Sequence, residues 1–277
     1  MKRLYAISLL LAFCISLSAQ SLPDSLSSHN LDEVVVTATK TLVSRNNVAY
    51  SVSVVNEQNI EQSSESALLP VLAENVPGLF VTERGITGFG VANGSAGQIS
   101  IRGIGGSPST QVLVLLNGNP QFMGLMGHPL PDSYIASDAQ RVEIIRGPAS
   151  TLYGSNAMGG VINIITREQK KEGYSVNSRL MYGSYNTLKY MVNGGYSKNR
   201  FNVFASFNHD KTDGHRDSSA FNINNGYLRA GYKVTDNISF NADFSLAGFK
   251  ATDPGADFSI AGNTIDITRG NGGIQCK

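Results

Sequence analysis

The sequence is poor in the groups that crosslink a fold: it has two cysteines in 277 residues, Cys14 and Cys276, one near each end. Cys14 falls inside an N-terminal apolar stretch that reads as a cleaved export signal. No intramolecular disulfide survives its removal, and sites built on several thiolates are excluded with it. Excess charge is missing as well. The 22 basic and 21 acidic residues nearly cancel, and taking Lys2 and Arg3 away with the signal leaves 20 against 21, a balance that does not suit nucleic acid as a partner. Beyond the signal no run reaches 18 consecutive apolar residues, so a place in a membrane would have to be built from strands closed into a barrel. No Ser, His and Asp constellation stands out, and no catalytic site is read, so the chain is not expected to be an enzyme. The glycine patterns GITGFG (85–90) and GIGG (103–106) lack the strand, helix and Lys, Ser or acidic follow-up that a phosphate cradle needs.

What is present begins with Lys2 and Arg3, the apolar stretch 4–17 and the small residues Ser18 and Ala19, the order of a secretory signal over residues 1–20. A membrane-spanning helix needs about 20 apolar residues, more than this stretch holds. Phe13 stands where a lipoprotein signal carries a small residue, which speaks against lipid on Cys14. Residues 21–47 read as a flexible leader, opening with QSLPDSLSSHN (20–30) and its lack of hydrophobic periodicity. Residues 48–168 then mix strand and helix signals. Residues 50–56 are β-branched and partly alternating; Ala67, Leu68, Val71, Leu72 and Val76 recur at helical spacing, with Pro70 in a kink or first turn and Pro77-Gly78 as the stop. QISIRG (98–103), QVLVLLNG (111–118), RVEIIRG (141–147) and GVINIIT (160–166) read as strands and complete a small α+β domain. Gly154, Gly159 and Gly160 are read as sites of positive φ or close backbone contact.

After Lys171 the pattern changes. Tyr174, Val176, Leu180 and Tyr182 share one parity, and the alternation returns at 188–196, 201–207, 228–234 and 238–246. The last is the clearest, with Ile238, Phe240, Ala242, Phe244 and Leu246 against Ser239, Asn241, Asp243 and Ser245. Five such strands predict an antiparallel meander with one apolar and one polar face, which a soluble sandwich and a membrane barrel share. Terminal aromatics such as Tyr174, Tyr182, Tyr196 and Phe249 favour the membrane girdle. Alternation weakens through 260–267, and RGNGGIQCK (269–277) reads as an ending without an aromatic strand.

Two sets of residues carry a family resemblance. LDEVVVTATK (31–40) resembles the TonB box of TonB-dependent receptors, an extended, β-branched segment suited to adding a strand to a partner's sheet edge. LLPVLAENVPGLFV (68–81), ISIRGIG (99–105), VLVLLNGNP (112–120) and RVEIIRGPASTLYGSNAMGGVINIITR (141–167) resemble, in order, the plug of that family. NGNPQFMGLMGHP (117–129) is similar to the plugs of haem and cobalamin receptors from Bacteroidetes-type bacteria.

The resemblance implies an outer-membrane receptor of a Gram-negative bacterium. It would comprise a plug over 48–168 followed by the N-terminal part of a transmembrane β-barrel over 173–277. The implied activity is TonB-dependent uptake of an iron or cobalt complex, namely haem, a siderophore or cobalamin, as transported ligand and not as cofactor. Implied partners are a TonB-type periplasmic protein, outer-membrane lipid and the small metal complex. TonB binding would fall to Asp32, Glu33, Val34, Val35, Val36, Thr37 and Ala38. Arg102 and Arg146 would form ion pairs with barrel glutamates, the alternative being ordinary solvated arginines. For haem, His128 would donate an axial nitrogen, with Met123 and Met126 lining an apolar pocket; a hydrogen-bonding turn residue is the other reading. Barrels of this kind have about 22 strands, so the five read here carry the expectation of a truncated or frameshifted copy. A non-transporting fragment that acts as a ligand-binding or signalling module is the alternative.

Overall fold

The computed structural model describes residues 34–35, 43–44, 50–83, 89, 98–106, 109–121, 129, 131–236, 238–253 and 263–276. Two short strands, β1 (Val34–Val35) and β2 (Val43–Ser44), pair antiparallel. Then come β3 (Val52–Val55), α1 (Glu57–Gln62) and α2 (Leu68–Asn75). Asn56 starts α1 by accepting the Asn59 amide on its side-chain oxygen at 2.9 Å, the ordinary role of an N-cap. Pro70 sits in the first turn of α2, where its missing N–H leaves no helical bond unmade. Strands β4 (Leu79–Val81), β5 (Ile99–Ile101) and β6 (Ile104–Gly106) form a small antiparallel sheet.

The central sheet uses β3, β7 (Val112–Leu116), β8 (Asn119–Pro120), β9 (Ala139–Arg146) and β10 (Gly160–Thr166), in the order β3-β9-β10-β7-β8. Only the β10–β7 pair is parallel. Both faces of this sheet are covered, which is why VLVLL and VEII read as unbroken apolar runs. Val114, Ile144 and Ile162 pack toward Leu68, Val71 and Leu72 of α2. Leu113, Ile145 and Val161 pack on the other face with Ala149 and Ala157. Those two alanines flank α3 (Ser150–Tyr153).

Six strands follow, each antiparallel to the next: β11 (Gly173–Gly183), β12 (Thr187–Lys198), β13 (Phe201–Thr212), β14 (Phe221–Lys233), β15 (Ser239–Asp253) and β16 (Asn263–Cys276). The sequence predicted five and an ending near 269; instead β16 runs through RGNGGIQC. Its alternation is hard to read because Ile267, an apolar residue, shares a parity with Asn271 and Gln275 and packs against the Phe249 cluster.

Burial on this sheet is inverted relative to a soluble protein. Leu228, Phe244 and Phe207 are 48%, 52% and 43% exposed, whereas Asn208, Asp210 and Arg229 are 2%, 0% and 6% exposed. A sandwich would bury the apolar parity. Here that parity faces outward, as on a wall whose outer solvent is lipid. The outward apolar residues of 238–246 span about 20 Å along the membrane normal at a tilt near 40°, close to the ~25 Å band of such barrels. Among the described residues the wall is open, with β11 and β16 at its edges.

Candidate functional site at the seam of plug and strands

Every inward-facing side of the strand wall meets the preceding α+β domain, and the contacts are mostly polar. On β11, Arg179 donates from Nη1 to the Ser63 carbonyl at 2.8 Å and from Nη2 to the Glu61 carbonyl at 2.6 Å. On β12, Lys189 Nζ lies 3.4 Å from Glu65 Oε2. On β13, Asp210 accepts from Ser66 Oγ at 3.0 Å and from Asn208 Nδ2 at 3.2 Å, while its Oδ2 is buried without a hydrogen bond. Ser206, two turns of the pleat away, donates to Asp138.

A second cluster ties the end of β10 to β14. Thr166 Oγ1 accepts from Tyr227 Oη at 2.9 Å and from Arg229 Nη1 at 2.6 Å, and Thr166 is itself fixed by Asn117 across the sheet. Arg229 Nη2 also stands 3.8 Å from Glu168 Oε2, just past β10. Farther along, Asn271 donates to Gln121 and Gln275 to the Asn117 carbonyl. One part of the seam is apolar: Phe89 stacks on Phe221 at 5.4 Å, and Phe221 on Phe249 at 6.4 Å, over Ile223, Ala251, Ala67 and Ile135.

Within the plug, Arg167 bridges Glu57 and Glu61, both at 3.0 Å, and donates from Nε to the Ala139 carbonyl. Both carboxylates are half-exposed, so these pairs contribute little to stability, about 1 kcal/mol or less each. Asp138 differs. Burial pushes its carboxyl up to about 6, against the pull of hydrogen bonds from Ser206 and Ser137 and of the Arg167 charge. Tyr153 is pushed up to about 12, by burial first and by the Glu143 charge second. Glu143 itself is fully buried and takes a 3.0 Å ion pair from Arg141.

Two residues singled out by sequence come together. Arg102 donates to Ser51 Oγ at 3.2 Å and takes its own amide to the Gly78 carbonyl; Arg146 donates to the Pro77 carbonyl at 3.3 Å and its amide to the Ser51 carbonyl. Among the described residues neither meets a carboxylate, and Arg146 Nε is buried without a partner. Of the residues 32–38 that the sequence resemblance assigns to TonB binding, only Val34 and Val35 are described, extended and paired with Val43–Ser44. His128, Met123 and Met126 lie outside the described residues. Lys189, Asp210 and Arg229 were not singled out. Their signal was a charged residue on the parity opposite a lipid-type apolar stripe, where a charge needs a partner.

Residues 44–161 match the family described as TonB-dependent Receptor Plug Domain. That match covers less than half of the chain, and with the inverted strand wall behind it the chain is similar to the plug and first wall strands of TonB-dependent receptors. Vitamin B12 transporter BtuB of Vibrio vulnificus (strain CMCP6) is 36% identical over 177 residues, which are 60% of this chain and 27% of that protein. FpvA of Pseudomonas aeruginosa bound to heterologous pyoverdines aligns with a TM-score of 0.67 at 14% identity, over 86% of this chain and 33% of its own. The siderophore receptor PiuA from Acinetobacter baumannii aligns with a TM-score of 0.63 at 17% identity, over 79% and 29%. At such identities the two structures share the fold alone. The chain spans a third or less of the length of these proteins.

Proposed function

We propose that the chain supplies the plug and first wall strands of a receptor for active uptake of an iron or cobalt complex: cobalamin, a siderophore or haem. The observation that carries this reading is the polar seam. A plug held by hydrogen bonds and two ion pairs exchanges those contacts for water when it moves, at a net cost of about 0.5–1.5 kcal/mol per hydrogen bond, whereas an apolar seam would expose its whole area. Such a seam suits a stopper that is held firmly yet displaced under load. The similarity to a vitamin B12 transporter at 36% identity supports cobalamin among the ligands.

The load is applied by a TonB-type periplasmic protein on residues 32–38, from Asp32 and Glu33 through Val34, Val35, Val36 and Thr37 to Ala38. Val34 and Val35, already extended, present the backbone such a partner would pair with. Arg102 and Arg146 await barrel carboxylates, which the unpartnered Arg146 Nε supports. The test is uptake in the complete receptor. Val35→Pro removes a backbone donor and should abolish accumulation of radiolabelled cobalamin or iron siderophore while surface binding persists. Normal uptake by that variant would overturn the reading. If haem is carried, His128→Ala should weaken binding and change the Soret band; no change leaves cobalamin or a siderophore as the ligand.

A further inference from the structure

A cavity of about 350 Å³ lies between the plug and β11–β13, and one of about 140 Å³ lies beside it. Both are lined by Arg167, Asn177 and Asn193, so these residues partition two chambers of one crevice. The plug side of the partition is dominated by one continuous stretch, 57–66, which supplies Glu57, Ile60, Glu61, Glu65 and Ser66. The same stretch makes the local bonds to the wall: the Glu61 and Ser63 carbonyls to Arg179, Glu65 to Lys189 and Ser66 to Asp210. It follows directly on β3, an edge strand held by four residue pairs to β9. A pull from the N-terminal side therefore reaches β3 first and this stretch next.

We propose that 57–66 is the removable wall of the passage, and that its withdrawal leaves a cationic channel that favours ligands bearing anionic oxygen groups. This rests on the uptake reading above. Withdrawal takes three carboxylates away, those of Glu57, Glu61 and Glu65. Of the charges that remain, Lys189 keeps Asp210 as its directly opposed neighbour across β12 and β13, Glu168 stays with Arg229, and Asp138 stays on Ser206. Arg179 is then left without a carboxylate and Arg167 keeps only the charge of Asp138, so the crevice holds a cation in excess. Guanidinium groups bind carboxylate or phosphate oxygens in pairs, and they repel cationic cargo. The residues that close the crevice are thus also those that mask its charge.

The test reads thiol labelling at Asn193→Cys in the complete receptor, on a Cys276→Ser background so that the exposed native thiol does not react. Two thiosulfonate reagents of matched size are compared, one carrying a sulfonate and one a trimethylammonium. With TonB energised and ligand present, labelling should accelerate, and the anionic reagent should gain roughly tenfold over the cationic one. Arg167→Gln with Arg179→Gln should keep the acceleration and lose the preference. Equal acceleration of both reagents in the otherwise native receptor would overturn the charge assignment. Continued ligand uptake without any acceleration would overturn the position of the wall. A motor-free arm separates this inference from the uptake reading: Glu57→Gln, Glu61→Gln and Glu65→Gln together should produce the anionic preference without TonB. A folded triple variant with no preference overturns the charge assignment even if the receptor transports nothing.

Discussion

Gly160 offers a sharp test of how the plug is built. Its φ is +151°, and a Cβ placed there would lie 2.3 Å from the Ile145 carbonyl oxygen and 2.8 Å from Ile101 Cδ1. Ile145 belongs to the β9–β10 ladder at the centre of the sheet, so relief requires moving a strand. Gly160→Ala therefore combines a backbone penalty of about 1–3 kcal/mol with overpacking of about 1–3 kcal/mol, together about 2–6 kcal/mol. Gly118 is the control. It too has positive φ, +88°, but nothing lies within 4 Å of its added Cβ, so Gly118→Ala should cost only about 1–2 kcal/mol. Hydrogen exchange of peptides covering 139–166 reports the difference directly, because opening of this ladder governs their protection. Gly160→Ala should accelerate exchange by about a thousandfold at the middle of that range, and Gly118→Ala by roughly tenfold. Equal effects would refute the claim that close backbone approach, and not φ alone, reserves position 160 for glycine.

Asp138 predicts a pH dependence. Burial raises its folded carboxyl to about 6 from the ordinary 3.8, so the stability it contributes is fully present below about pH 4 and lost as pH rises through 6. Two pKa units correspond to about 3 kcal/mol, an upper bound because part of the residue remains exposed to solvent. Urea midpoints between pH 4 and 7 should fall more steeply for the native chain than for Asp138→Asn, and parallel slopes would contradict the assignment. Ala242, on the outward apolar parity of β15, should tolerate arginine poorly: Ala242→Arg is expected to cost about 2–4 kcal/mol in a bilayer, where a soluble surface would accept it at almost no cost. Reversible unfolding from lipid vesicles measures this.

Much of the plug was legible because its strands are buried on both faces and its turns carry diagnostic residues. Asn117 and Gly118, both at positive φ, close the β7–β8 hairpin as an Asn-Gly pair should. Helix α1 was not legible: it has six residues, one of them buried, so no periodicity accumulates, and only Asn56 as N-cap with Glu57 in the first turn signalled it. The wall's alternation was plain, but period 2 alone does not say which parity faces protein; burial of Asp210 and exposure of Phe244 decide that. The seam was beyond reach for a different reason. Arg179 bonds the Glu61 carbonyl 118 positions earlier, and Gln275 bonds the Asn117 carbonyl 158 positions earlier. Local pattern carries no register between segments so far apart.

The inverted burial makes this sheet a membrane wall with its polar face on the plug. Nitroxide labels placed singly at 239–246 on β15, in the chain embedded in outer-membrane lipid, test it most directly through collision with oxygen and with a polar nickel chelate. A membrane wall gives strict alternation, with positions 240, 242, 244 and 246 rich in oxygen contact and poor in nickel contact, and 241 and 243 immobilised and shielded from both. High nickel contact at 240, 242, 244 and 246 would put that face in water and contradict the membrane wall.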